Sequence, residues 1–124
     1  MKTSSYILIP STSAGTANEN YDGISTEFSG IPQKAAAYYS KDKSFQTVSW
    51  YLTNFTGVLT IEATLDSLSD TDNYFPITSV DGTITPLDGN QFAHLEGNYT
   101  WIRATVTQFD PLLGGAIDKV SLGY

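Results

Sequence analysis

The sequence predicts an all-β fold, an antiparallel β-sandwich of jelly-roll type with about eight strands. Three observations carry this prediction. Segments with apolar and polar residues in alternation recur at spacings of roughly 8–12 residues, separated by Gly, Pro, Asn and Asp. No convincing helix interrupts them, and no internal repeat of fixed period is present. Only 15% of residues are charged while Ser, Thr, Asn, Gly and Tyr abound, which suits a twisted sheet covered by hydroxyls and amides rather than a helical surface of Glu, Lys and Ala.

The strongest signal is the stretch FQTVSWYLTNFTGVLTIEATLD, residues 45–66. Val48, Trp50 and Leu52 share one face of its first half. Leu59, Ile61, Ala63 and Leu65 share one face of its second half, with Thr60, Glu62, Thr64 and Asp66 opposite. Asn54-Phe55-Thr56-Gly57 lies between the two runs, and Gly57 can supply the positive φ of a tight connection, so the stretch predicts a β-hairpin.

In chain order, residues 6–9 form a short strand at a sheet edge, closed by Pro10. Residues 11–23, STSAGTANENYDG, are small and polar without periodicity, either a long surface loop or a flexible arm that orders on contact with a partner. A weak strand over 24–28 is broken by Gly30 and Pro32. Residues 34–39, KAAAYY, carry helix-favouring alanines, but six residues are too few for an isolated helix, and the surroundings favour a strand. A solvated turn over 40–44 leads into the central stretch.

Residues 67–73 form a loop, and 74–80 a strand interrupted by Pro76. Asp81-Gly82 predicts a hairpin turn with 83–85 as its short return strand, and Asp88-Gly89-Asn90 predicts another turn before a strand over 91–96. Residues 99–109 alternate again, Ile102, Ala104 and Val106 facing one way and Tyr99, Trp101, Arg103, Thr105, Thr107 and Phe109 the other. After a loop over 110–115, a strand over 116–124 closes the chain with Val120, Leu122 and Tyr124 together. The organisation expected is an N-terminal strand with a flexible arm or loop over 1–23 and a single β-sandwich domain over 24–124.

A chain of 124 residues is of a size to bury about two-thirds of its unfolded surface in one domain. It holds no cysteine, which excludes disulfides and thiolate metal sites and suits folding in a reducing cytoplasm. Thirteen acidic residues against six basic ones give a net charge of −7, spread along the chain, which disfavours nucleic acid and anionic membranes as partners and favours solubility. The apolar run after Lys2 lasts four residues before Pro10, too short for a secretory signal, and nothing approaches a membrane-spanning run.

Chemistry-bearing constellations are sparse. Asp66, Asp70, Asp72 and Asn73 gather oxygen ligands in one loop, yet their spacing does not match the twelve-residue calcium loop, and a solvated turn using Asp and Asn for local hydrogen bonds is the expectation. His94 is the one histidine and reads as a half-buried strand residue beside Phe92 and Leu95. Glu62, Asp81, Asp88 and Glu96 can supply the carboxylate pair of a glycoside hydrolase, as any acidic β-protein does by chance. No nucleophile–base arrangement and no G-x-S-x-G elbow is present, so neither catalysis nor a cofactor is expected. Asn54-Phe55-Thr56 and Asn98-Tyr99-Thr100 match the glycosylation acceptor, which matters only in a secretory pathway that nothing here indicates. More informative are Tyr99, Trp101, Arg103 and Phe109, an aromatic and Arg row pointing away from the core phase of its strand. Such rows mark protein interfaces and sugar-stacking platforms, or else lie buried under a loop.

The segments FQTVSWYLTNFTGVLTIEATLD, DNYFPI and GNYTWIRATVTQFDPLLGGAIDKVSLGY together resemble a small β-sandwich domain of virion structural proteins in tailed bacteriophages, especially those infecting cyanobacteria. The resemblance runs over residues 45–124 and rests on core and turn residues, so it speaks to fold and context rather than to a site. It implies a non-enzymatic structural component of the particle, assembled in the host cytoplasm: a capsid decoration or cement protein, a neck or tail component, or a fibre-borne module. The partners implied are the major capsid or neck and tail proteins, together with copies of the chain itself in a homo-oligomer. The chain begins with Met and is expected to be complete in one domain, without a coiled-coil or collagen-like shaft, which favours a decoration protein clamped to a shell through the N-terminal segment and an aromatic outer face.

The rival expectation is a carbohydrate-binding module, with Tyr51, Tyr99 and Trp101 stacking on a glycan. A sugar site requires those rings around one open patch, whereas an assembly interface buries them against another chain.

Overall fold

The computed structural model describes residues 5–39 and 43–124. Ten strands follow in order: β1 (Ser5–Ile9), β2 (Thr12–Ser13), β3 (Phe28–Ser29), β4 (Gln33–Lys34), β5 (Phe45–Phe55), β6 (Val58–Thr64), β7 (Phe75–Asp81), β8 (Leu87–Glu96), β9 (Trp101–Thr107) and β10 (Ala116–Gly123). They form two antiparallel five-stranded sheets. One has the order β1-β10-β5-β8 with β2 beside β10, and the other the order β3-β9-β6-β7 with β4 beside β9. Among the described residues there is no helix, and so none long and apolar enough to cross a membrane. The all-β sandwich is as the sequence predicts; three of the ten strands are two-residue fragments.

The alternation of the long strands becomes the core. Val48, Trp50 and Leu52 of β5, with Val120 and Leu122 of β10, face Leu59, Ile61 and Ala63 of β6 and Ile102, Ala104 and Val106 of β9, all buried. One end of this core is closed by four aromatic rings. Phe109 lies 5.3 Å from Tyr21, 6.0 Å from Phe28 and 5.7 Å from Phe55, centroid to centroid. At the other end the buried Gln46 amide ties three segments together, its Oε1 accepting the Ala36 N–H at 3.0 Å and its Nε2 donating to the carbonyls of Ser44 (3.2 Å), Leu95 (3.4 Å) and Gly97 (3.3 Å).

The predicted hairpin over residues 45–66 is not formed. Both strands exist, but β5 pairs with β10 and β8 while β6 pairs with β7 and β9, so their connection crosses from one sheet to the other. The backbone and side chain of the connection bond elsewhere than across a tight turn: Thr56 N donates to Gly114 O (3.0 Å) and its hydroxyl to Leu113 O (2.9 Å), while Gly57 O accepts from Gly82 N (2.7 Å). Asn54 takes a left-handed φ of 49° and donates its N–H to Asp88 Oδ1 at 2.7 Å. The two strongest apolar faces of the chain thereby oppose each other across the core instead of lying side by side.

Other elements depart locally from expectation. Beyond Lys34, residues 35–39 are a turn rather than a strand, because Ala35 and Ala36 are small enough to bury against Gln46 and Tyr38 N bonds back to Ala35 O at 3.0 Å. Residues 83–85 form no return strand: the Asp81 carboxylate takes both the Thr83 N–H (2.8 Å) and hydroxyl (2.5 Å), bending the chain toward the other sheet. Asp88-Gly89-Asn90 is no turn but a bulge inside β8, with Gly89 at φ 95° and a register shift opposite Leu52 and Phe55. Of the strand expected over 24–28, Phe28 alone is in a strand, since Asp22 caps the N–H groups of Ile24 (2.8 Å) and Ser25 (2.7 Å) in a local turn. Residues 11–23 lie on the sandwich as a loop: β2 pairs with β10, and Tyr21, 1% exposed, enters the aromatic end of the core while its hydroxyl accepts the Gly15 N–H at 3.0 Å. Residues 40–42 of the turn expected over 40–44 lie outside the described residues.

Candidate functional site

The row expected to face outward on the last long pair of strands divides among three places. Trp101 and Arg103 do stand on the outer face of β9, but neighbouring segments close over them. The Trp101 indole N–H donates to Ser67 O at 3.1 Å and its ring meets Tyr38 edge-on at 5.3 Å. Arg103 Nε donates to Glu62 Oε1 at 2.8 Å, and its guanidinium lies 3.9 Å from the centroid of the Tyr74 ring. Glu62 Oε1 also accepts the Thr105 hydroxyl at 2.7 Å. Tyr74 donates its hydroxyl to Ser69 O at 3.0 Å, and burial raises its pKa against the opposing pull of Arg103. The polar groups of this face are thus largely used within the chain, by the turn over 35–39 and the loop over 65–74.

Phe109 is not on that face: it is 0% exposed, in the four-ring cluster. The strand ends at Thr107 and Gln108 takes a left-handed φ of 55°, which breaks the two-residue alternation and turns the next side chain inward. Tyr99 precedes β9, packs against the core and meets Phe75 at 6.0 Å, so it closes the sandwich end instead of joining Trp101. Tyr51 belongs to β5 and therefore to the other sheet. The three rings expected around one sugar do not share a patch.

The face of the β1-β10-β5-β8 sheet that carries Tyr51 is the more open one. Register places Ile7, Ser121, Ser49 and Phe92 in one row across it, and Lys119, Tyr51 and Asn90 in the next. Phe92 is 64% exposed, and Phe45 on the same face is 65% exposed. Most of the intervening side chains are short hydroxyls, and the buried Ser121 Oγ has no hydrogen-bond partner among the described residues. Tyr51, Asn90, Asp118 and Lys119 line a shallow depression of about 420 Å³, in which Lys119 Nζ lies 4.9 Å from the Tyr51 ring centroid and Asp118 Oδ2 accepts the Thr53 hydroxyl at 2.9 Å. Sequence reasoning found Tyr51 but missed Phe92, Asn90 and Lys119. The alternation of Asn90, Phe92, His94 and Glu96 was the available signal, and the bulge at Gly89 concealed how far that strand extends.

The remaining candidates have structural roles. His94 is exposed at the sheet edge rather than half-buried, because among the described residues β8 has a neighbour on one side only; its Nδ1 lies 3.0 Å from Thr47 Oγ1 and its ring meets Phe92 edge-on at 5.2 Å. Asp66 accepts the Thr71 hydroxyl (2.5 Å) and the Asn73 amide (2.9 Å), which hold its carboxyl below the ordinary range. Among the described residues no three His, Cys, Asp or Glu side chains gather as a metal site. Three of the four acids considered for glycoside cleavage are engaged locally: Glu62 serves Arg103, Asp81 serves Thr83 and Asp88 serves Asn54, while Glu96 ends β8. Neither a family model nor a curated protein matches the chain.

Proposed function

We propose that the chain is a non-enzymatic structural component of a bacteriophage particle, a capsid decoration protein or a neck or tail accessory, attached to neighbouring virion proteins through the open face of the β1-β10-β5-β8 sheet. The observation that carries the reading is Phe92 and Phe45, each about two-thirds exposed, standing on a flat sheet of hydroxyl side chains. In a chain of net charge −7, the centre of this face from Thr47 to Phe92 carries no formal charge, and exposed aromatic surface depleted of charge is what interface cores are made of. The orders β1-β10-β5-β8 and β3-β9-β6-β7 support taking the sandwich as a jelly roll, an architecture common in viral capsid and lectin domains. The sequence resemblance adds the phage context. The N-terminal segment is given no clamping role, since residues 11–23 already pack on their own domain.

A second reading, glycan binding, is favoured by the depression around Tyr51, where an aromatic ring is flanked by the amide, carboxylate and ammonium of Asn90, Asp118 and Lys119. Co-sedimentation of the purified chain with phage particles separates the two. Saturable attachment in fixed proportion to capsid or tail subunits supports the structural reading. A chain that ignores particles and instead binds a glycan array through Tyr51 replaces it.

A further inference from the structure

A two-sheet sandwich has four edges, and an edge strand left with free N–H and C=O groups is a template for another strand unless it is blunted. Three edges here are managed. The β1 edge is capped by Ile31 N donating to Leu8 O at 2.8 Å and by Gln33 Nε2 donating to Ile7 O at 2.9 Å. The facing edge of the other sheet is broken into the two-residue pieces β3 and β4, with Pro32 between them. β7 carries Pro76, and its register with β6 slips between Ile61 and Glu62.

The fourth edge, β8, lacks such protection over most of its length. Its bulge lies at its very start, and from Gly89 to Glu96 it runs in unbroken register with β5, without proline, lysine or arginine. Between Asp88 and Glu96 the only titratable side chain is His94. Alternate backbone N–H and C=O groups over that run point away from β5 with no strand among the described residues to receive them. Phe92, 64% exposed, stands at its middle.

We infer that β8 is a self-pairing edge: two copies of this chain join antiparallel along β8, about a two-fold axis normal to the sheet, into one continuous ten-stranded sheet. Only registers that oppose residues of equal parity keep Ala93 and Leu95 on the core side in both copies. Among these, the two that pair the most of β8 are centred on Gln91 and on Phe92; the first opposes Asn90 to Phe92, Gly89 to Ala93, and Asp88 to His94 of the second copy. Centring on Phe92 opposes Asp88 to Glu96, carboxylate to carboxylate, twice. The charge pattern therefore selects a second copy at the Gln91 register, and the chain's net charge of −7 is no obstacle, because the paired run itself is uncharged apart from its ends. The dimer goes beyond the virion reading and stands without it, since it forms from the purified chain alone.

The test is sedimentation equilibrium of the full chain over a concentration series, with amide exchange read at low and high concentration. A single strand pairing is a small interface, so a dissociation constant in the micromolar range is expected, with exchange slowing at alternate residues of β8 as concentration rises. Phe92→Lys and Gln91→Lys, both at exposed positions, place two ammonium groups near the axis and should each weaken association by roughly tenfold or more. Ile24→Lys, exposed just before the edge strand β3 of the other sheet, should leave it unchanged. Thermal melts confirm that each variant is folded. A chain that stays monomeric at every concentration overturns the inference and leaves the edge to a different protein. So does a dimer insensitive to both β8 substitutions, or one whose protection falls outside β8.

Discussion

Replacing Phe109 by alanine should cost about 4 kcal/mol of folding stability. An aromatic side chain buries about 150–200 Å², and at about 25 cal/mol per Å² removing all but the Cβ forfeits about 3 kcal/mol of transfer free energy. The ring lies within 6.0 Å of Tyr21, Phe28 and Phe55, and none of these can collapse fully into the space, so a residual cavity and the lost ring contacts add about 1 kcal/mol. A domain of this size has roughly 6–15 kcal/mol of stability, so the variant remains folded and measurable. Urea unfolding followed by the fluorescence of Trp50 and Trp101 reads the change as a shift in midpoint at constant slope. Phe109→Leu, which keeps most of the volume, should cost only about 1–2 kcal/mol. Because Tyr21 shares the cluster, the alanine variant should also loosen residues 11–23 to proteolysis. A loss below about 1 kcal/mol would refute the reasoning and return Phe109 to the outer face that simple alternation implies.

Gln46→Leu should cost about 2–3 kcal/mol in the same assay, since it strands the Ala36 N–H and three carbonyls at the buried end of the core; a neutral result would mean that water replaces the amide. Stability should fall in acid. Asp22 is held down to about 2 from its ordinary 3.8, first by the Ser25 hydroxyl and then by the N–H groups of Ser25 and Ile24, with Asp66 and Asp81 also lowered. A depressed carboxyl stabilises the fold above its unfolded value and loses that contribution as pH falls through the folded one, so melting temperatures should drop between about pH 4 and pH 2, less steeply in Asp22→Asn. Melting temperatures that stay level or rise across that window contradict the assignment. Trp101→Ala should destabilise by about 1–2 kcal/mol and expose the loop over 65–74 to protease, with particle attachment retained; lost attachment in a folded variant would restore Trp101 to the interface.

What the sequence made legible was the facing of strands, not their partners. Alternation placed Val48, Trp50, Leu52, Leu59, Ile61, Ala63, Ile102, Ala104 and Val106 inward, and all are buried; Leu65, expected on the same face, is 66% exposed because β6 ends at Thr64, which is itself buried. Alternation carries no information on which strand lies alongside, and Asn54 to Gly57 holds the same turn chemistry whether the chain folds back within a sheet or crosses between sheets. The crossing is decided by bonds to Gly114, Leu113 and Gly82, far away in the chain. One left-handed residue, Gln108, was enough to reverse Phe109, and no local pattern announces it. Tyr21 sits alone among polar residues, so its place in the core depends on Phe28, Phe55 and Phe109 being there to receive it. The open face was hardest to read, since Thr47, Ser49, Phe92 and Ser121 form no motif and are brought together only by register across three strands.

The most direct test sets the two outer faces against each other in the particle co-sedimentation assay, comparing Ser49→Arg, at the centre of the open face, with Arg103→Ala, on the face closed by loops. Attachment abolished by Ser49→Arg and retained by Arg103→Ala is the expected result, both proteins being folded by circular dichroism. Attachment retained by Ser49→Arg and lost with Arg103→Ala would place the working surface on the opposite sheet and contradict the account.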